Sequence, residues 1–157
     1  MSISTAAILC YGVIPIEDED ELVLPWDTEE NGGDIDHWWT YEIQGFKHSF
    51  EIYDNHAFIG NVRPSEDVID AYYKELSDFR KTEPKIPVDP TYQGDYSYPI
   101  LAIPSTVVKA YGGEAIRISP DNMDCLLEEK QALLKFCEEF EIKHGEPGWL
   151  LASYLMY

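Results

Sequence analysis

The sequence predicts a single α+β domain spanning 1–157, in which a mainly antiparallel sheet packs against two helices at about 65–82 and 120–143. Three observations lead there. Apolar runs at both ends, Thr5–Ile16 and Trp149–Tyr157, carry no charge and read as strands. Two stretches, opening at Ser65 and Ser119, repeat apolar residues at helical spacing behind a residue suited to capping a helix. Prolines and Asn-Gly or Gly-Gly pairs cut the remainder into short segments. A chain of 157 residues suits one domain with a sizeable core, because roughly two thirds of the unfolded surface is buried at this size. With 45% apolar and 13% aromatic residues it is too hydrophobic for disorder, which needs low hydrophobicity as well as high charge.

In order along the chain, Thr5–Ile16 (TAAILCYGVIPI) is rich in β-branched residues and suits a strand near the middle of a sheet. Glu17–Asp36 follows as an acidic loop, interrupted by the apolar Leu22-Val23-Leu24-Pro25-Trp26, which offers a clip onto the body of the protein. Trp38–Ile43 has strand-like aromatic content, and Gln44–His48 would turn it back into Ser49–Tyr53, so a hairpin is expected over roughly 38–53. A helix is expected from Ser65, with Glu66 and Asp67 at its positive end and Arg80 and Lys81 at its negative end. Pro84, Pro87 and Pro90 then favour a rigid, extended connector over 83–99 without hydrogen bonds of its own. Tyr98–Ile103 and Ser105–Lys109 read as strands broken at Pro104, and Tyr111-Gly112-Gly113-Glu114 as a turn into a strand at Ala115–Ile118. Ser119-Pro120-Asp121 signals the second helix, which His144-Gly145 and Pro147 would end. Trp149–Tyr157 is then a closing strand, placed to pair with the first.

Charge is the feature that bears on function. Glu17–Asp36 holds ten carboxylates in twenty residues, and no Lys or Arg precedes Lys47. The first 46 residues carry eleven acids and no base, whereas 47–157 carry nineteen acids and eleven bases. A formal charge of -19 disfavours nucleic acid and anionic membrane as partners. It favours a protein with a basic, nucleic-acid-binding surface, because ordered carboxylates can occupy a Lys/Arg cleft and gain the same counterion release as phosphates. The residues expected to form that contact are Glu17, Asp18, Glu19, Asp20, Glu21, Asp27, Glu29, Glu30, Asp34 and Asp36, with Trp26, Trp38 and Trp39 as aromatic anchors. On a strand, Trp38 and Trp39 would point to opposite faces, one into the core and one outward. Acidity that serves only solubility is the competing reading.

The chemistry of catalysis and metal binding is thinly represented. Asp27-x-Glu29-x-Asn31-Gly32 matches the opening half of a calcium loop, but position twelve is Trp38 instead of a bidentate Glu and no helix leads in. Asp27, Glu29 and Asn31 therefore form only a weak calcium-type candidate. The four histidines have neither helical i,i+4 spacing nor a zinc-finger arrangement with cysteines. No nucleophile motif or glycine-rich phosphate loop occurs, so no catalytic residue and no cofactor is assigned. Cys10, Cys125 and Cys137 are an odd number without short spacing and read as reduced core residues. The start MSISTAAILC lacks a basic leader and no apolar run approaches ~20 residues, so a cytoplasmic protein is expected.

AAILCYGV at 6–13, LPWDTEENGGDIDHWW at 24–39, YPILAI at 98–103, VVKAYGGEAIRI at 107–118 and GWLLASYL at 148–155 together resemble a group of small acidic proteins of tailed bacteriophages. The resemblance covers most of the chain as pattern and order, and transfers no functional residue. It implies an accessory phage product acting in the bacterial cytoplasm, where such proteins inhibit host nucleic-acid-handling machinery, including restriction and CRISPR systems, some by mimicking DNA charge. The expectation is therefore a binding protein of that kind rather than an enzyme. The alternatives are a phage structural or assembly module that self-associates, and a cation-dependent protein or enzyme of unrecognised type.

Overall fold

The structure is a computed structural model that describes residues 4–16, 24–28, 33–47, 65–91, 99–112 and 114–156. The fold is α+β and its sheet is antiparallel. Strands β1 (Ser4–Val13), β2 (Asp89–Thr91), β3 (Ile100–Ala102), β4 (Val108–Tyr111) and β5 (Gly148–Met156) form one five-stranded sheet. Helices are α1 (Ile35–Trp38), α2 (Glu66–Arg80) and α3 (Leu127–Glu139). The chain divides into two compact units, one of Met1–Pro25 with Ile86–Tyr157 and one of Trp26–Lys85. The sheet and α3 belong to the first, α1 and α2 to the second.

In the first unit β1 is the central strand, as its uncharged run predicts. β5 pairs with it over nine consecutive positions, from Ser4↔Met156 to Gly12↔Gly148. On its other side β1 faces β4 (Ala6–Leu9) and β3 (Gly12 and Val13), and β2 pairs with β3. Ile8, Cys10, Ile100 and Ala102 make a buried cluster, with Val107, Leu150 and Ala152 against it. Gly12 is required where it stands: a Cβ there would lie 2.4 Å from the carbonyl oxygen of Leu101.

β3 and β4 share one side of β1 because Pro104 cannot continue a ladder. Pro104–Thr106 forms a single 3₁₀ turn between them. The gap opposite Tyr11 is closed by the buried Thr106. Tyr11 N–H donates to Thr106 Oγ1 at 2.9 Å, the hydroxyl donates to Ile103 C=O at 2.7 Å, and Ile103 N–H donates to Tyr11 C=O at 2.8 Å. α3 is held beside this turn. Ser105 Oγ donates to Glu129 Oε1 at 2.7 Å, and Lys130 Nζ sits 4.7 Å above the Tyr11 ring, which meets Trp149 edge-on at 5.7 Å. Leu133, Phe136 and Cys137 are the buried residues of α3.

Several sequence expectations are corrected. Residues 120–123 form a 3₁₀ turn and the second helix starts at Leu127 instead of 120. Leu126 carries no acceptor for the first turn, so only half a capping box forms, with Glu129 Oε2 accepting from Leu126 N–H at 3.2 Å. The helix ends at Glu139 rather than at 143. Ile142 N–H reaches Cys137 C=O at 2.8 Å and Glu141 N–H reaches Glu138 C=O at 3.3 Å, a Schellman closure with Glu141 at φ 55. Ala115–Ile118 is not a strand. Glu114 N–H closes the turn onto Tyr111 C=O at 2.9 Å, and the residues after it join no ladder. The proline-rich connector does make hydrogen bonds of its own kind, since Asp89–Thr91 forms β2. Its residues 92–98 lie outside the described residues.

The largest correction concerns 38–53. Residues 35–43 are helical: α1 runs directly into a π turn, Trp39–Ile43, where Gln44 N–H bonds Trp39 C=O at 2.8 Å. Asp34 caps the start, and Gly45 at φ +67 lets the chain leave in the left-handed conformation. The returning arm, Ser49–Tyr53, lies outside the described residues. α2 runs from Glu66 to Arg80 as expected, with Ser65 as its extended N-cap residue.

Candidate functional site

The acidic segment was expected to be the binding edge, and its described parts belong to 24–28 and 33–36. Of the apolar clip, Leu24 and Trp26 are buried while Leu22 and Val23 lie outside the described residues, and Asp27 and Thr28 emerge exposed directly after Trp26. Gly33 leads into Asp34, whose Oδ1 accepts from Asp36 N–H at 2.9 Å and His37 N–H at 3.1 Å. One oxygen of Asp34 is thus committed to starting α1, although the side chain stays exposed. A Cβ on Gly33 would lie 3.9 Å from Asp27 Oδ1, which sets Asp27 beside the same turn. The structure brings Asp27, Asp34 and Asp36 to one exposed region of the second unit. Glu17, Asp18, Glu19, Asp20, Glu21, Glu29 and Glu30 lie outside the described residues, as does Asn31 of the calcium-type candidate. Among the described residues no three His, Cys, Asp or Glu side chains converge as a metal site.

The tryptophans go elsewhere. Trp26, Trp38 and Trp39 are 0%, 3% and 9% exposed and present no surface to a partner. Successive residues of a helix are about 100° apart instead of alternating, so neighbours can both face inward. Trp26 and Trp38 approach at 5.6 Å between ring centroids, and Trp38 and Trp39 at 6.2 Å. Trp39 Nε1 donates to Pro84 C=O at 2.9 Å, which ties the turn to the residues after α2. The rings extend through Tyr41, Phe46 and Phe79 at 5.5 and 4.9 Å. The second unit therefore has an aromatic core under an acidic exterior.

A polar group inside this core was not anticipated from the sequence. The His37 ring stacks on Tyr41 at 4.5 Å, and the hydroxyls of Tyr41 and Tyr72 bond to each other. The buried Thr40 donates to Glu83 Oε1 at 3.4 Å, while Glu83 Oε2 is buried without a hydrogen bond among the described residues. A helical reading of 35–43, with Asp34 as cap, is the signal that would have placed His37 and Tyr41 one turn apart on one face.

Around these cores the carboxylates are widely distributed. Glu66, Asp67, Asp70 and Asp78 are exposed on α2, and Glu128, Glu138 and Glu139 on α3. Lys81 Nζ lies 2.7 Å from Asp78, and this hydrogen bond and charge hold the Asp78 carboxyl below its ordinary range. The Trp26–Lys85 unit contains fourteen acids and six bases, and the other unit sixteen acids and five bases. Charge polarised along the sequence is thereby shared between the units as -8 and -11. A groove of about 360 Å³ along α2, lined by Tyr73, Leu76, Ser77, Arg80 and Lys81, is open to solvent.

The thiols are interior groups. Cys10, Cys125 and Cys137 are free and buried. Burial, with the Asp89 carboxylate as a second cause, pushes Cys10 up to about 11, and burial alone pushes Cys137 to about 11. Cys125 is raised by burial and then by Glu129. Such thiols are poor nucleophiles because the thiolate is the reactive form. No helix of the described residues is long and apolar enough to cross a membrane. Comparisons with protein-family models, curated proteins and solved structures gave no match to the chain.

Proposed function

We propose that this chain is a binding protein that presents carboxylates to the basic, nucleic-acid-binding surface of another protein. Its biological setting on this reading is the bacterial cytoplasm, where it inhibits or modulates host nucleic-acid handling in the manner of phage anti-restriction or anti-CRISPR proteins. The observation that supports this is the charge: -19 in 157 residues, with both units acidic and carboxylates exposed on the turn at Gly33, on α2 and on α3. Carboxylates that replace phosphates in a Lys/Arg cleft release the same condensed ions, so binding falls with salt along a slope set by the number of charges neutralised. With the tryptophans in the core, charge carries the contact and gives it on-rate and salt sensitivity.

The test is capture of the tagged chain's partner from bacterial lysate, followed by competition with duplex DNA and a salt series. The expected partner itself binds nucleic acid, is displaced by DNA, and loses at least about tenfold in affinity between ~0.05 M and ~0.2 M salt. Charge reversal at Asp18, Glu19 and Asp20 together should weaken binding further, and reversal of Asp27 and Asp36 should do the same from the described turn. Binding that is indifferent to salt and survives both sets of changes would refute the charge-mimicry mechanism.

A further inference from the structure

β5 ends the sheet. One side of β1 is taken by β5 and the other by β3 and β4, and among the described residues no strand pairs with the outer edge of β5. The other boundary strands carry the devices that keep an edge free. β2 is three residues long and holds Asp89 and Pro90, and β4 is four residues long and holds Lys109. β5 has none of them. It runs for nine residues without Asp, Glu, Lys, Arg or Pro, in unbroken register with β1, and Leu151 on it is 76% exposed.

We propose that β5 is a self-association edge, which pairs antiparallel with β5 of a second copy about a two-fold axis at Ala152. Leu151 then stands opposite Ser153 of the second copy and diagonal to its Leu151, and the two five-stranded sheets become one. The occupant follows from charge and symmetry. A strand edge paired antiparallel about a two-fold axis is its own complement, since each donor row meets the same row reversed. Two chains of charge -19 repel each other over most of their surfaces, but β5 brings no carboxylate to the seam. A basic partner would gain nothing from this uncharged strand and is served by the acidic faces elsewhere.

Sedimentation equilibrium of the full chain across a salt series tests this. Screening shortens from ~10 Å at 0.1 M to ~3 Å at 1 M salt, so the dimer, of twice 18.0 kDa, should tighten with salt. That is the opposite sign from charge-mimicry binding, and the two readings fail separately. Leu151→Lys places like charges beside the axis and should raise the dimer dissociation constant at least about tenfold, with the melting temperature of the monomer unchanged. Leu126→Lys, at a similarly exposed leucine (65%) that precedes α3 and is not part of β5, should leave dimerisation intact. Amide exchange across 148–156 should slow as concentration rises. A chain that stays monomeric at high salt and high concentration overturns the proposal. So does a dimer that ignores Leu151→Lys or is broken by Leu126→Lys, and so does a monomer whose β5 edge is protected only by a strand of another protein.

Discussion

Glu141 illustrates how much a single residue can carry against its own preference. It occupies the left-handed position of the closure after α3, at φ 55, where glycine is the usual occupant because a Cβ costs about 1 kcal/mol there. It also puts a negative charge at the negative end of the helix dipole. Glu141→Gly should therefore stabilise the protein by about 1 kcal/mol, read as a higher urea midpoint with an unchanged slope. The same residue explains a boundary that the sequence does not reveal. No glycine marks the end of α3, and the first stop signal the sequence offers is Gly145. What ends the helix is the burial of Ile142, 6% exposed, which draws its N–H back to Cys137.

At the scale of elements, the split between β3 and β4 depends on one hydroxyl. Thr106→Val keeps the shape but leaves Tyr11 N–H facing a methyl group, at a cost of about 1–3 kcal/mol, whereas Thr106→Ser should recover most of it. Chemical unfolding of the two variants checks the difference. The strands at either end were legible because long uncharged, apolar runs have few other places to go. The segment 35–43 was not, because Trp, Thr, Tyr and Ile raise strand propensity while burial decides the outcome. Only a helix sends Trp38 and Trp39 inward together, and Asp34 supplies its cap. Hence the carboxylates of the candidate surface can be counted from the sequence, whereas a strand reading turns one of Trp38 and Trp39 outward and the helix buries both. The late start of α3 was hidden for a related reason: Ser119-Pro120-Asp121 starts a 3₁₀ turn, and the true first turn follows Leu126, which has no capping side chain.

The molecule as a whole is an acid whose interior thiols resist ionisation. Cys10 and Cys137 move from 9.0 to about 11 on folding, so between those values the native chain keeps two protons that the unfolded chain releases. Stability from this source is complete below pH ~9 and is lost as pH rises through ~11. Urea midpoints should fall over that window, and the two thiols should react with a disulfide reagent only as the chain unfolds. Any thiolate formed adds to a charge that is already -19. The pairing of β1 with β5 has a further consequence, in time rather than in energy. It joins residues as far apart as Ser4 and Met156, whereas Trp26–Lys85 closes its contacts within one continuous stretch. Emerging from the ribosome, the aromatic unit is complete early, while β1 waits with an open side until nearly all the remaining chain has been synthesised.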